Sequence, residues 1–336
     1  MAKKHKSTFS IFAEATGLYF SNIGKFVKYM TFPVLGQIFG LSFVFFTAYI
    51  YSANIDKIIS KYPNINNVST LIFISVLLTL PGLCIFCKAF WEYIVAYGAV
   101  NSTYENLIKS GKIYDYNAHT ELIKRRAASF IGLWLIIGFI SIAAICPFFF
   151  VICAIFAVYF VLAFQVFTFE PELSPVGCLK KSLILIKGNF GKTFVLLLLT
   201  GILTYLFIPN LFIKLFDFIG INSFFAKLIL PFVNILPEIN LQTIGIPAIS
   251  ASDISLFIIQ TTVAQIAIQY TLPLRALIWT GWYQELNNSN STVFSQGKTN
   301  KKSTKRPSEK LMENTHKKYS RKIDSNILKR ASEKDE

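Results

Sequence analysis

Five long stretches of this chain contain no Asp, Glu, Lys or Arg, and they constrain its fold more than any other feature. Each is at least 21 residues long, and about 20 helical residues cross the hydrocarbon core of a bilayer. A stretch that is apolar on every side requires an apolar solvent. The uncharged stretches are Tyr29 to Ile55, Tyr62 to Cys87, Ala127 to Phe169, Thr193 to Ile213 and Ile254 to Leu274.

The third stretch is too long for a single crossing. Its 43 residues would extend about 64 Å as one helix, roughly twice the thickness of the bilayer core. We predict that it folds back at Cys146-Pro147, because proline lacks the amide donor that a helix interior needs. The predicted spans are therefore 32–52, 68–88, 127–145, 148–169, 193–213 and 254–275.

The distribution of basic residues predicts the orientation of these spans. Lys and Arg in short loops favour the cytoplasmic side. With the N-terminus inside, the inner segments hold 27 basic residues and the outer segments hold four, which are Lys57, Lys61, Lys214 and Lys227. We therefore expect both termini in the cytoplasm. Hydrophobic residues make up 53% of the chain and charged residues 15%, a balance unlike that of soluble domains.

The apolar segment Ile219 to Leu236 raises the question of a seventh span. Lys227, Pro231 and Pro237 interrupt it, and a crossing there would place the basic tail outside. We expect an interfacial or re-entrant segment on the outer face.

A repeated unit precedes three of the spans. Residues 1–31 form a cytoplasmic N-terminal segment whose Phe12, Thr16, Tyr19, Ile23 and Phe26 predict an amphipathic helix. Ser174-Pro175 predicts the start of a second such helix and Gly188-Asn189 its end. Asn22-Ile23-Gly24-Lys25 is echoed by Asn189-Phe190-Gly191-Lys192, and a weaker third copy covers His119 to Phe130.

The predicted fold class is therefore all-α: a polytopic transmembrane helical bundle of about six spans, arranged as three hairpins that each follow a basic amphipathic helix. The membrane domain covers 32–286. Basic residues of the surface helices are expected to contact anionic lipids of the inner leaflet. They are Lys124, Arg125, Arg126, Lys180, Lys181, Lys187 and Lys192.

Residues 287–336 have a different composition. They are rich in Lys, Ser, Asn, Thr and Glu and carry a net charge of +7, which predicts a disordered cytoplasmic tail. Binding to anionic lipid is favoured over nucleic acid, because Tyr319 is the one aromatic residue among its basic residues.

The segment from Phe169-Glu170-Pro171-Glu172-Leu173-Ser174-Pro175 to Lys187-Gly188-Asn189-Phe190 resembles the central motif of a broad group of bacterial six-span proteins. The group includes the membrane domain that precedes the catalytic domain of some glycerophosphodiester phosphodiesterases. Pro273 and the ending Trp282-Tyr283-Gln284-Glu285-Leu286 are similar to its closing pattern. The resemblance implies the span architecture and a bacterial cytoplasmic membrane, and it carries over no catalytic residue. The chain has three His and no soluble region large enough for the phosphodiesterase domain.

Motifs that could carry chemistry are weak. Cys84-Ile85-Phe86-Cys87 has the C-x-x-C spacing but lies in an apolar helix without a second ligand pair, so we interpret the two thiols as packing residues. Glu170 and Glu172 flank Pro171 and do not converge on a substrate. No phosphate-binding loop, Ser/His/Asp set or H-E-x-x-H motif is present. We expect no metal site, no cofactor and no enzymatic activity.

The charged residues near the inner ends of spans are the best candidates for a site. Lys88 and Glu92 are four residues apart and can pair on one helix face. Arg275 ends the last span at the same expected depth, where Trp91, Trp279 and Trp282 would form an aromatic belt. Two interpretations stay open: interfacial anchors, or a functional Glu92–Arg275 pair.

Three functions are compatible with these observations. The preferred one is a non-enzymatic membrane protein for membrane organisation or lipid handling. A small-solute transporter or channel would need a polar path, and Gln260, Gln265 and Gln269 spread over about 180° of a helix. A membrane-embedded lipid enzyme would need clustered His or acidic residues at the interface, which this sequence does not offer.

Overall fold

A computed structural model describes residues 6–63, 67–111, 113, 116–143, 145–234 and 250–298. Throughout these ranges the regular structure is helical, without strands, which confirms the all-α fold class. The helices are α1 (Thr8–Ser21), α2 (Ile23–Lys61), α3 (Val68–Ser110), α4 (Tyr116–Lys124), α5 (Ala127–Ala143), α6 (Pro147–Phe160), α7 (Ala163–Phe169), α8 (Pro175–Ile186), α9 (Phe190–Gly201), α10 (Ile208–Ile219), α11 (Ile221–Val233), α12 (Ala251–Tyr270) and α13 (Leu272–Lys298). A π-helical turn, Ile202–Phe207, joins α9 to α10.

The helices reproduce the predicted spans. Among the described residues, five helices are long and apolar enough to cross a membrane, and α4 with α5 makes a sixth after a bend of 78°. Helix α5 ends at Ala143, and Pro147 occupies the first turn of α6, so the chain folds back where the sequence predicts. Large apolar side chains face outward along the spans, as lipid solvent requires. Examples are Phe39, Phe45, Phe73, Phe139 and Phe148.

Helix α11 occupies most of the ambiguous segment 219–236. It has 13 residues, which extend about 20 Å and fall short of the roughly 30 Å hydrocarbon core. Gly220, at φ +82°, separates it from α10, and α11 packs beside α12. By length this helix is not a seventh span, and residues 235 and 236 lie outside the described part of the chain.

Three helix junctions share one backbone arrangement. Asn22 and Asn189 have nearly the same dihedral angles, φ −118° and ψ 17° against φ −121° and ψ 18°. At each junction the central residue donates to the carbonyl three residues earlier and accepts from the amide four residues later, over 2.8–3.2 Å. The central residues are Asn22 between α1 and α2, Arg126 between α4 and α5, and Asn189 between α8 and α9. The same pair of hydrogen bonds also occurs at Gly220 and at Thr271, so it is a general feature of the helix junctions here, and the sequence repeat stays a prediction.

The second helices of the three predicted hairpins meet in one buried polar cluster. Asn101 of α3 accepts hydrogen bonds from the Gln165 amide of α7 (3.3 Å) and the Thr280 hydroxyl of α13 (3.1 Å). All three side chains are fully buried. Because hydrogen bonds are directional, the cluster fixes how these helices pack against each other.

The surface helices use their apolar faces to cover protein. Ile11, Ala15 and Tyr19 of α1 are buried, and the Tyr19 hydroxyl donates to the Tyr270 carbonyl at 3.1 Å. A Cβ built on Gly281 would lie 3.0 Å from Ile11. The sequence predicts an apolar face of α1 lying on the bilayer. The structure places it against α9 and α13, where the ends of these helices offer an apolar surface.

The residues after Tyr283 belong to a second compact unit, together with residues 1–5. Of this unit the structure describes residues 284–298, which continue α13 to Lys298. The predicted tail boundary at 287 therefore lies within a helix. Residues 299–336, which carry the basic charge of the predicted tail, lie outside the described residues.

Candidate functional site

An open groove of about 330 Å³ lies between α2 and α3. Tyr29, Phe32 and Pro33 of α2 form an apolar wall, and Lys88 and Glu92 of α3 contribute the charges. Lys88 is 20 residues beyond the start of α3 at Val68, which is about 30 Å along the helix. The groove therefore lies one hydrocarbon thickness away from the start of this span.

Helix α4 supports one wall of the groove. The Tyr29 hydroxyl lies 2.9 Å from the Thr120 hydroxyl. The Tyr29 ring stacks on Tyr116, with ring centroids 4.0 Å apart. The Lys124 ammonium lies 3.0 Å from Glu92 Oε1. Helix α4 thus holds both an aromatic wall and the acidic group of the groove in place.

Of the two interpretations left open by the sequence, the Glu92–Arg275 pair does not form in the structure. Glu92 bonds to Lys124, whereas Arg275 donates to the hydroxyls of Tyr205 and Tyr93. Tyr93 follows Glu92 directly, so the two charges lie at the same level of the bundle. Consecutive residues of a helix point about 100° apart, and the carboxylate therefore faces the groove while Arg275 meets the neighbouring helix face.

Lys88 and Glu92 share the groove without forming the predicted ion pair, within the part of the chain described. The Lys88 ammonium instead lies 5.6 Å from the centre of the Phe32 ring, a cation–π contact. Its side chain is exposed. The groove thus presents one cation without a carboxylate partner beside one carboxylate.

The basic residues predicted to contact lipid divide into two groups. The side chains of Arg125, Lys180, Lys187 and Lys192 are exposed. The other three are half-buried and engaged: Lys124 with Glu92, Lys181 with Glu170 at 3.6 Å, and Arg126 with the carbonyls of Phe167 and Leu173.

Arg126 therefore has a structural role, and its predicted contact with lipid stays a prediction. Its guanidinium lies 3.9 Å from the centre of the Phe167 ring and donates to the Phe167 carbonyl at 2.7 Å. Because it also occupies the second junction, it ties the start of α5 to α7.

Two other expectations are also overturned. Trp279 and Trp282 are buried, and the Trp282 indole donates to Thr193 at 3.0 Å, so they belong to the core and not to an interfacial belt. Cys84 and Cys87 are free and exposed, so these thiols are not packing residues. In both cases residue type and depth did not reveal which face of the helix meets protein.

The residues of the 169–190 motif have structural positions. Ser174 caps α8 through the Gly177 amide at 3.2 Å, and Pro175 begins the helix, as predicted. Glu170 accepts from the Tyr283 hydroxyl at 3.1 Å. Burial raises the pKa of the Cys178 thiol, on the inner face of α8, to about 11. These contacts hold α8 against the core.

A Ser–His contact, which the sequence did not reveal, joins α3 to α4. The Ser102 hydroxyl lies 2.7 Å from His119 Nδ1 and also 2.8 Å from the Ala99 carbonyl. Since the hydroxyl has its own helix carbonyl as a second partner, the contact serves to fasten α4. In the residues that the structure describes, no group of three or more His, Cys, Asp or Glu side chains could hold a metal ion.

The glutamines of α12 contact two different spans. Gln260 donates to the Asp217 carboxylate at 3.0 Å, and Gln37 donates to Gln269 at 3.5 Å. These two contacts lie on different faces of α12, as the 180° spread predicts. They join α12 to α10 and to α2.

No protein-family model, no curated protein and no solved structure matches this chain. The fold therefore carries the classification. Helices of this length and composition, with apolar side chains directed outward along most of their length, define an integral membrane protein.

Proposed function

We propose that this protein is a non-enzymatic multi-pass protein of the bacterial cytoplasmic membrane that handles phospholipids, with both termini in the cytoplasm. The observation that carries the proposal is the groove between α2 and α3, where Lys88 and Glu92 stand beside an apolar wall. The proposal also includes kinship with the six-span group that the 169–190 segment resembles.

The chemistry of the groove suits a phospholipid headgroup. The Lys88 ammonium can bind a phosphate, because its contact is with the Phe32 ring and not with a carboxylate. The Glu92 carboxylate can bind an amine. Phe32 and Pro33 offer apolar surface for the glycerol and the first acyl carbons. Phosphatidylethanolamine, which carries both a phosphate and a primary ammonium, satisfies both charges.

The exposed cations of the surface helices support the location in the inner leaflet. Four of these cations lie in the segments that lead into predicted spans: Arg125, Lys180, Lys187 and Lys192. The groove likewise lies near the start of α2. Basic groups near an anionic leaflet each contribute about 1 kcal/mol of attraction. They would concentrate lipid on the side where the groove opens.

Native mass spectrometry of the purified protein with equal amounts of phosphatidylethanolamine and phosphatidylglycerol tests this function. We expect Lys88→Gln to weaken binding of both lipids roughly tenfold, because a charge-assisted hydrogen bond to phosphate is lost. Glu92→Gln should weaken binding of the ethanolamine lipid alone.

The matched controls are Lys227→Gln and Glu172→Gln, which change exposed charges outside the groove and outside the basic surface helices. Both should bind lipid like the unaltered protein. Equal lipid binding by all four variants would contradict the proposed function.

A further inference from the structure

Arg275 is a charged residue of the last span whose partners are all neutral. Its guanidinium donates to the hydroxyls of Tyr205 and Tyr93 and, at 3.1 Å, to the carbonyl of Ile268. Its Nε is buried and has no hydrogen-bond partner. Among the described residues, no carboxylate forms an ion pair with it.

The side chain of Arg275 turns back into the bundle and not away from it. Ile268 precedes Arg275 by seven residues, about 10 Å along a helix. The guanidinium therefore extends back beside the last turn of α12. A snorkelling arginine reaches the other way, to the nearest interface.

A cation held among apolar spans without a counter-charge marks a functional position. Tyrosine hydroxyls solvate the guanidinium, but they supply no negative charge. The buried Nε keeps one donor unsatisfied, which is costly away from water. The missing component is thus an anion that can approach within hydrogen-bond distance.

The geometry around Tyr205 shows from which side an anion can come. Tyr205 is 49% exposed and belongs to the π-helical turn Ile202–Phe207. Such turns are rare in helices and are frequent at functional sites. Neighbouring Ile202 and Leu206 are also exposed, so the opening is apolar and faces the lipid.

We propose that Arg275, Tyr93 and Tyr205 form a second binding site, within the spans, for an oxyanion carried on an acyl chain. The anionic head replaces the missing counter-charge, and the chain lies against the exposed apolar residues of the π-helical turn. A carboxylate or phosphate accepts from the guanidinium fork and from the Tyr205 hydroxyl. This site goes beyond the headgroup groove and does not depend on it.

Binding to the purified full-length protein in neutral detergent, measured by thermal shift, tests the site. The probes are oleate and dioleoyl phosphatidic acid, with acetate and inorganic phosphate as their chain-free counterparts. We expect stabilisation by at least one acyl anion and none by the free anions at equal concentration. Stabilisation by the free anions to the same degree would overturn the proposal, because the acyl chain would then be irrelevant.

Variants identify the site. Tyr205→Phe should weaken binding of the acyl anion roughly fivefold through loss of one hydrogen bond. Arg275→Gln should weaken this binding at least as much. Tyr62→Phe and Lys57→Gln, at exposed positions elsewhere, should leave binding of the acyl anion unchanged. If Arg275→Gln does not fold, Tyr205→Phe and Arg275→Lys decide the question. Tyr205→Phe keeps the aromatic ring, and Arg275→Lys keeps the positive charge.

Unaltered affinity in Tyr205→Phe together with Arg275→Lys would overturn the proposal. Failure of the proposed acyl-anion site is distinguishable from failure of the proposed headgroup groove. Lys88→Gln and Glu92→Gln should retain the stabilisation by acyl anion, and Tyr205→Phe should retain the headgroup preference.

Discussion

Gly40 of α2 and Gly82 of α3 face each other where the two helices come closest. A Cβ built on Gly40 would lie 2.7 Å from the Gly82 carbonyl oxygen and 2.6 Å from the Phe86 amide nitrogen. A Cβ on Gly36, one turn away, would lie 2.8 Å from Ala89 Cβ. Small residues at such spacing let membrane helices approach closely, and this contact sets the width of the groove one to two turns away.

Replacing Gly40 should therefore separate α2 from α3. We expect Gly40→Leu to lower the free energy of unfolding by about 1–3 kcal/mol, because the side chain meets backbone atoms that cannot yield. Thermal unfolding in detergent measures the effect. Gly138→Leu is the matched control, since a Cβ there meets nothing within 4 Å, and an equal loss of stability in both variants would refute the close contact.

The spans were predictable from the sequence, and the packing between them was only partly so. Uncharged runs and Cys146-Pro147 located the crossings because hydrocarbon excludes charge along a whole segment. The Gly36 to Gly40 spacing is a recognisable packing signal, but span boundaries alone do not reveal it. Which face of α1 or α13 meets protein depends on neighbours distant in sequence, and so the burial of Trp282 was not foreseen.

The cluster of Asn101, Gln165 and Thr280 should stabilise the junction of the returning spans. Asn101→Leu keeps a similar volume but leaves the Gln165 amide and the Thr280 hydroxyl without their shared acceptor. Because both donors keep a second acceptor, we expect a loss of about 0.5–1.5 kcal/mol, seen as a lower Tm in detergent. The control is Asn54→Leu, because the Asn54 side-chain amide donates to a carbonyl of its own helix. This variant should lower the Tm much less, and an equal decrease would contradict the stabilising role of the cluster.

Lys124 should compete with an amine for Glu92. The pair is partly exposed, so Lys124→Gln should cost the fold no more than about 1 kcal/mol. The released carboxylate should bind phosphatidylethanolamine a few-fold more tightly, measured as its ratio to phosphatidylglycerol in native mass spectra. Lys109→Gln, which breaks the exposed contact with Glu105, is the control. A decreased ratio in Lys124→Gln would contradict the role given to Glu92.

Cys178 should resist thiol reagents in the folded protein. Burial raises its pKa to about 11, so the thiol stays protonated at pH 7 to 9, and maleimides react with the thiolate. Of two variants that each keep one cysteine, the one with exposed Cys146 should react in mild detergent. The one with Cys178 should react only after denaturation, and fast labelling of folded Cys178 would show that α8 does not pack as described.

The charged residues of the candidate site could be predicted from the sequence, but the partners of their side chains could not. Charge near span ends singled out Lys88, Glu92 and Arg275 because membranes make such residues rare. Lys124 reaches Glu92 only because α4 bends by 78° from α5, and a bend of that kind has no signature in the spacing of apolar residues. Tyr205 was overlooked, since nothing in the sequence predicts a π-helical turn.

The most direct measurement is a single-particle reconstruction of the protein in nanodiscs of phosphatidylethanolamine and phosphatidylglycerol. We expect headgroup density in the groove, with a phosphate within about 4 Å of the Lys88 ammonium and the groove at the level of the inner phosphate layer. An empty groove, or one displaced from the headgroup layer into water, would contradict the account.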